Sequence, residues 1–391
     1  MNERSQLFKE ITGVGSSLRS ALLLPTLAVV TALLIGGLII AVTDIDILRL
    51  WGEDPVEALS QTIDSVLGAY RSIVVGSVGS PRAISETLFA ATPLILAGLA
   101  VAVGFQAGLF NIGAEGQMLI GGMSALFFGI TFDAPGPVII PVMLIGAIIG
   151  GGVWAGFAGF LRANTGAHEV ITTIMLNFIA IFLVEWLLKT STFQATGRND
   201  PISKPLKPQA HFGRIFGDDY RVTIGLFIAL GAAGFVGWLM YRTTIGFQFR
   251  TVGANPDAAK YGGMRVSMLT VAVMATAGGL AGLAGANQIM SLPPYQAQIG
   301  FSGGLGFDAI ALALLGRSRP MGVVWAGLLF GALTAGGREM QAVERIPIDL
   351  VEVVQGLIIV FLAAPALIRA IWRVKAEGEE HAEQITTGWS T

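Results

Sequence analysis

Apolar residues in this chain gather in runs, and polar residues fall mainly between them. The first run, 21–43, holds 23 residues and is long enough for one helix to cross a bilayer. It is too long for a signal-peptide core, and no small-residue cleavage site closes it. Nine further runs follow at 83–103, 116–131, 137–160, 169–188, 222–241, 267–290, 306–316, 321–338 and 349–372. Pro135, Pro137, Pro141, Pro201, Pro293, Pro294, Pro320 and Pro347 stand at or near the breaks, where a residue that ends helices belongs. The pattern predicts an all-α polytopic membrane protein of about ten spans.

The segments between runs differ in character. Stretch 44–82 is acidic, with Asp44, Asp46, Glu53, Asp54, Glu57 and Asp64 against Arg49, Arg71 and Arg82. Within it, Asp54-Pro55 is a helix-start signal, followed by Val56, Leu59, Ile63, Val66, Leu67 and Tyr70 at helical spacing. That predicts an amphipathic helix on the outer membrane surface. Ten spans place both termini on one side. Segment 242–266 carries Arg242, Arg250, Lys260 and Arg265, the link after 316 carries Arg317 and Arg319, and the C-terminal flank carries Arg369, Arg373 and Lys375. These sit inside when both termini are cytoplasmic, whereas loop 189–221 puts six Lys/Arg outside, leaving 13 inside to 11 outside. The resulting division is a cytoplasmic segment 1–20, a membrane domain 21–372 with outer loops 44–82 and 189–221 and an inner loop 242–266, and a cytoplasmic tail 373–391.

Composition strengthens this and removes other classes. Only 13% of the 391 residues are charged and 53% are hydrophobic, against roughly 25% charged in soluble domains. A net charge of −2 provides no field for nucleic acid. With no cysteine and three histidines, there is no thiolate, disulfide or histidine-rich metal site. No lysine follows a glycine anywhere, so the phosphate-binding loop ending Gly-Lys-Ser/Thr is absent and the chain is not an ATPase by that route. Phe301-Ser-Gly-Gly-Leu305, superficially like an ATPase signature loop, is set aside for the same reason. The 52 glycines suit close helix packing in lipid, as do the spacings Gly146/Gly150, Gly152/Gly156, Gly278/Gly282 and Gly327/Gly331.

Three motifs interrupt this apolar background. Stretch 104–117 reads Gly104-Phe-Gln-Ala-Gly108-Leu-Phe110-Asn111-Ile-Gly113-Ala-Glu115-Gly116-Gln117. It is either a broken helix lining a wet cavity or a turn at the inner surface. Ser302-Gly303-Gly304-Leu305-Gly306-Phe307-Asp308 opens a short apolar segment in the same manner. The pairing predicts an inverted repeat of spans two to five with spans seven to ten, with half-helix N-termini offering N–H groups to a solute or water. Chance similarity between Gly-rich helices competes with that reading. The third motif, Gly253-Ala-Asn255-Pro256-Asp257-Ala258-Ala259-Lys260-Tyr-Gly262-Gly263, predicts a short helix capped by Asn255, opened by Pro256 and closed by glycine. Asn177 in the fifth span is either an interhelical hydrogen bond or a path-lining group. His168 and Glu169 read as a solvated cap, Glu185 as a headgroup-level residue, and Asn287 and Gln288 as facing a vestibule or solvent.

In order, Leu109-Phe-Asn111-Ile-Gly-Ala-Glu115-Gly-Gln117, Glu169-Val-Ile-Thr-Thr-Ile-Met-Leu-Asn177, Val252-Gly-Ala-Asn255-Pro-Asp257-Ala-Ala259 and Gly306-Phe-Asp308-Ala-Ile-Ala-Leu-Ala-Leu-Leu-Gly316 resemble the permease subunits of ABC importers for nucleosides and simple sugars. Those belong to the ribose-type and branched-chain amino-acid-type permeases, and the likeness runs from about 83 to 372. It implies a prokaryotic cell-membrane protein without a cofactor or metal of its own. Its implied partners are an ABC ATPase holding ATP and Mg, an extracytoplasmic substrate-binding lipoprotein and a second permease in a heterodimer. Gly253, Asn255, Pro256, Asp257, Ala258 and Ala259 would couple to the ATPase. Phe110, Asn111, Glu115, Gln117, Asn177, Phe307 and Asp308 would lie along the solute path, with the binding protein docking over 44–82 and 189–221. An ion-coupled transporter is the competing class; it needs a membrane carboxylate relay, for which Glu115 and Asp308 are the plausible members.

Overall fold

The computed structural model describes residues 14–43 and 45–373. The expectations for 1–13 and 374–391 lie outside them. The helices are α1 (Val14–Thr43), α2 (Ile45–Glu53), α3 (Pro55–Val78), α4 (Pro81–Gln106), α5 (Ala114–Thr131), α6 (Gly136–Thr165) and α7 (Glu169–Leu188). After a long loop come α8 (Gly225–Arg242), α9 (Thr244–Ala254), α10 (Pro256–Tyr261), α11 (Val266–Ser291), α12 (Leu305–Leu315), α13 (Pro320–Glu344), α14 (Asp349–Ala363) and α15 (Pro365–Trp372). Every apolar run read from the sequence is mainly helical, although 222–224 precede α8 and the run 349–372 breaks at Ala364. Segment 45–53, read as polar loop, is helical as well.

Among the described residues, seven helices are long and apolar enough to cross a membrane: α1 from Leu23, α4, α6, α7, α8, α11 and α13. The pair α14–α15, bent by 97°, makes eight if counted as one span. The sequence predicts ten, and α5 and α12 account for the difference. Glu115 and Gln117 occupy the first turns of α5, which lowers its apolar content. With 11 residues, α12 reaches about 16 Å, roughly half a hydrocarbon core.

The chain divides into two compact units, one of residues up to Leu67 and from Ile346 onward, the other of Gly68–Arg345. In the first, α14 and α15 pack on α1, and Trp372 Nε1 donates to Thr31 Oγ1 at 2.8 Å. Asp54 caps α3 as its sequence predicts, its Oδ1 accepting from Val56 N at 3.0 Å and Glu57 N at 3.1 Å. The apolar positions Val56, Leu59, Ile63 and Leu67 are exposed.

In the second unit α4 is the axis, most of its apolar length being buried. Its start is fixed by Ser80, whose Oγ accepts from Ala83 N at 3.1 Å, with proline at the first helical position. Helices α13, α11, α12 and α8 pack on it, and α11 in turn meets α5 and α6 backbone to backbone. A Cβ on Gly282 would lie 2.1 Å from Ala147 O, on Gly278 2.2 Å from Gly151 O, and on Gly121 2.2 Å from Gly282 Cα. Lipid tails are as apolar as leucine, so helices in a bilayer are held by such close contact rather than by water exclusion.

The loop between α7 and α8 folds over the last turn of α11 and the segment following it. Ser203 N donates to Ala297 O at 2.9 Å and Phe212 N to Met290 O at 2.8 Å, and the His211 and Tyr295 rings stack 3.6 Å apart. Lys207, 2.8 Å from Asp133, holds that exposed carboxyl below the usual carboxylate range through a hydrogen bond and its charge.

Candidate functional site

Helix α4 ends at Gln106, and the chain turns through Gly108, whose φ of +69° is left-handed. Leu109 N closes this turn on Gly104 O at 2.9 Å. Four polar side chains then organise the break. Asn111 and Gln117 exchange two hydrogen bonds, Nδ2 to Oε1 at 3.0 Å and Nε2 to Oδ1 at 2.8 Å. Asn111 Oδ1 also accepts from Gly113 N at 3.0 Å. From α7, Asn177 Oδ1 accepts from Gly116 N at 2.9 Å while its Nδ2 donates to Ile112 O at 3.0 Å. One amide thus serves both a donor and an acceptor that the interrupted helix leaves open. A Cβ at Gly113 would come 2.8 Å from Gln117 Nε2 and one at Gly116 2.9 Å from Asn177 Oδ1, so a larger residue at either position has to displace one of these bonded amides.

Glu115 carries this knot to the second broken segment. Its Oε1 accepts from Ser302 Oγ, and its Oε2 accepts from Gly306 N at 2.9 Å. Gly304, in a left-handed conformation at φ +78°, caps α12, so the carboxylate sits where the α12 dipole favours negative charge. The helix starts touch directly: a Cβ on Gly306 would lie 2.3 Å from Glu115 N. The two motifs paired by sequence are therefore in contact. Of the half-helix N–H groups expected to be offered to a solute or water, that of Gly306 is bonded to Glu115.

The expected path residues divide into two groups. Asn111, Glu115, Gln117 and Asn177 are all buried and bonded to this frame, whereas Phe110 and Phe307 are 42% and 48% exposed. Asp308 is half-buried and engaged. Phe110 packs on Phe105 with ring centroids 4.8 Å apart. Ser302 and Gly306 were not legible as partners of Glu115; the signal was a serine and glycines preceding an apolar run, which is common at any helix start.

Two local expectations are corrected. Glu169 is not a solvated cap: it is buried, with Arg162 NH1 2.7 Å from its Oε2, a cation that offsets the cost of taking this carboxylate out of water. Asn287 faces neither vestibule nor solvent. It is 2% exposed and accepts from Ser291 Oγ at 3.1 Å. Glu185 is half-buried, its carboxylate 2.7 Å from Lys189, and Gln288 is half-buried.

The third motif forms the two-helix elbow α9–α10. Asn255 caps α10, its Oδ1 accepting from Asp257 N and Ala258 N, both at 3.0 Å. Pro256 opens the helix, Gly262 caps its end and Gly263 turns left-handed at φ +79°. Asn255, Pro256, Asp257 and Ala258 are exposed, Ala259 is buried, and Tyr261 is 95% exposed. Such an elbow offers a protruding polar knob. Among the described residues no group of three or more His, Cys, Asp or Glu could hold a metal ion.

Residues 83–363 match the family model described as the branched-chain amino acid transport system / permease component. The chain belongs to this permease family. The permease is 35% identical to the guanosine ABC transporter permease protein NupP of Bacillus subtilis, over 92% of this chain and 98% of that one. It is 34% identical to the glucose ABC transporter permease protein TsgB13 of Haloferax volcanii, over 86% of each. Identity to the nucleoside ABC transporter permease protein NupB of Lactococcus lactis is 33%, over 89% and 92%. A second nucleoside permease of that organism, NupC, matches at 26% over 75% of this chain. The permease is a multi-pass membrane component of a transporter, and transport rather than covalent chemistry is its work.

Proposed function

We propose that this permease forms half of the membrane pathway of an ATP-driven importer for nucleosides or related simple sugars. The observation that carries the reading is similarity along nearly the whole chain to permeases named for guanosine, nucleosides and glucose. The partners are a cytoplasmic ATPase, a substrate-binding protein on the outer face over 44–82 and 189–221, and a second permease. The pairing of NupB with NupC in one organism supports a heterodimer with this chain as the NupB-like member. In this reading α5 and α12 are short membrane segments that complete ten spans, related as halves of an inverted repeat, with both termini inside.

Within that frame the solute passes against Phe110 and Phe307, whose exposed rings can stack on a base or sugar face. Asp308 borders the path, and Asn111, Glu115, Gln117 and Asn177 hold the segments that present it. ATP binding in the partner moves the elbow 253–259, and the pathway alternates between outward and inward openings. The Glu115 carboxylate is bound by Ser302 and Gly306, which argues against a proton relay through it. Deleting the gene in cells without a redundant system and measuring radiolabelled guanosine and glucose uptake tests the reading. Loss of one or both supports it, and unchanged uptake of both refutes it.

A further inference from the structure

The elbow and the broken segment meet at two glycines. A Cβ on Gly253 would lie 2.5 Å from Ala107 C and 2.7 Å from Gln106 O, and one on Gly108 would lie 2.9 Å from Gly253 Cα. The contact is therefore main chain against main chain. In the same turn, Gln106 Nε2 donates to Ser318 O, in the link between α12 and α13. Three consecutive residues, Gln106, Ala107 and Gly108, thus touch the elbow on one side and the second cytoplasmic link on the other. Beyond Gly108, the chain reaches the Asn111–Gln117 pair within three residues, and from there Glu115 grips α12.

We infer that the turn 106–108 is the positioning element through which displacement of the elbow reaches both broken segments, with Gly108 and Gln106 as the residues that transmit it. The inference rests on the reading of 253–259 as the coupling segment. The physical reason is stiffness. Side chains between two elements absorb small shifts by changing rotamer, whereas two apposed backbones in a close-packed interior move together or separate. Phe249 and Val252, both buried, seat α9 so that its movement is passed to the turn. Gln106 ties the turn to Ser318, so both ends of α12 are held: one through this bond and the other through Glu115.

The test uses the complete importer in proteoliposomes, assembled with ATPase, second permease and binding protein, with radiolabelled guanosine as probe if the uptake assay identifies it as cargo, and glucose otherwise. The readout is solute imported per ATP hydrolysed, beside co-purification of the ATPase. Gly108→Ala and Gln106→Leu are expected to lower that ratio by about five- to tenfold while the ATPase still co-purifies. A purely structural role would lower uptake and hydrolysis in parallel and leave the ratio alone, which overturns the inference. Should Gly108→Ala fail to fold, Gln106→Leu decides, because leucine adds no bulk at the glycine contact. Asp257→Lys serves as the separate control for the coupling reading. If that variant assembles and transports normally, the coupling reading itself fails. If it blocks assembly while Gln106→Leu leaves the ratio unchanged, only the present inference fails.

Discussion

Glu115 Oε2 accepts a hydrogen bond from Gly306 N at 2.9 Å, joining the first turns of two helices 191 residues apart in sequence. With Ser302 on its other oxygen, the carboxylate satisfies two buried donors and complements the start of α12. Removing it in Glu115→Ala orphans both, at roughly 1–3 kcal/mol for each donor. Glu115→Gln can retain both contacts, its oxygen accepting from Gly306 N–H and its amide donating to Ser302 Oγ. The expected outcome is a clear fall in melting temperature for the alanine variant and a small one for the glutamine variant, measured on detergent-purified protein. Equal effects would show that hydrogen bonding is not what Glu115 contributes.

Asn177 is a clamp before it is anything else. Asn177→Leu leaves Gly116 N–H and Ile112 C=O without partners, again at about 1–3 kcal/mol per buried group. Thermal stability and guanosine uptake are expected to fall together. Normal stability with slowed uptake would return Asn177 to the solute path as a lining group.

Glycines differ sharply in what they tolerate. Gly282→Val must place its side chain where a Cβ would already lie 2.1 Å from Ala147 O, whereas around Gly231 nothing lies within 4 Å. The first substitution pushes α11 off α6 and is expected to abolish accumulation of folded protein, since overpacking typically costs about 1–3 kcal/mol and more where backbone cannot yield. Gly231→Val is expected to accumulate normally. Quantitative membrane immunoblots compare the two directly.

At the elbow, Asn255→Ala removes two capping bonds, an effect of about 1 kcal/mol on α10. Because the site is exposed, the permease itself is expected to stay folded while co-purification of the ATPase weakens. Restoration by Asn255→Asp or Asn255→Ser, which cap equally well, would separate loss of the helix from loss of a specific amide contact.

Local signals were legible and long-range ones were not. The Asn255 cap, the Pro256 start and the glycine stop of α10 each depend on neighbours within a turn, so the sequence predicts them correctly. The Asp54 cap of α3 is equally local, and length with apolar content predicts helix in each of the ten runs, although 349–372 breaks at Ala364 and bends by 97°. The motifs at 104–117 and 302–308 could be paired by likeness, yet their physical contact through Glu115 depends on the packing of α5 against α12. Likewise, Glu169 and Asn287 look like surface residues when read by position in a helix; only their neighbours Arg162 and Ser291 reveal them as buried. Helix 45–53 reads as loop from its sequence because its flanks are acidic.

Solute accumulation in proteoliposomes, with and without the partner ATPase, shows whether the permease is a gate driven by ATP. The complete importer is expected to concentrate guanosine or glucose only when ATP is supplied on the ATPase side. Accumulation by this chain alone, driven by an imposed ion gradient in the absence of ATP, would contradict it.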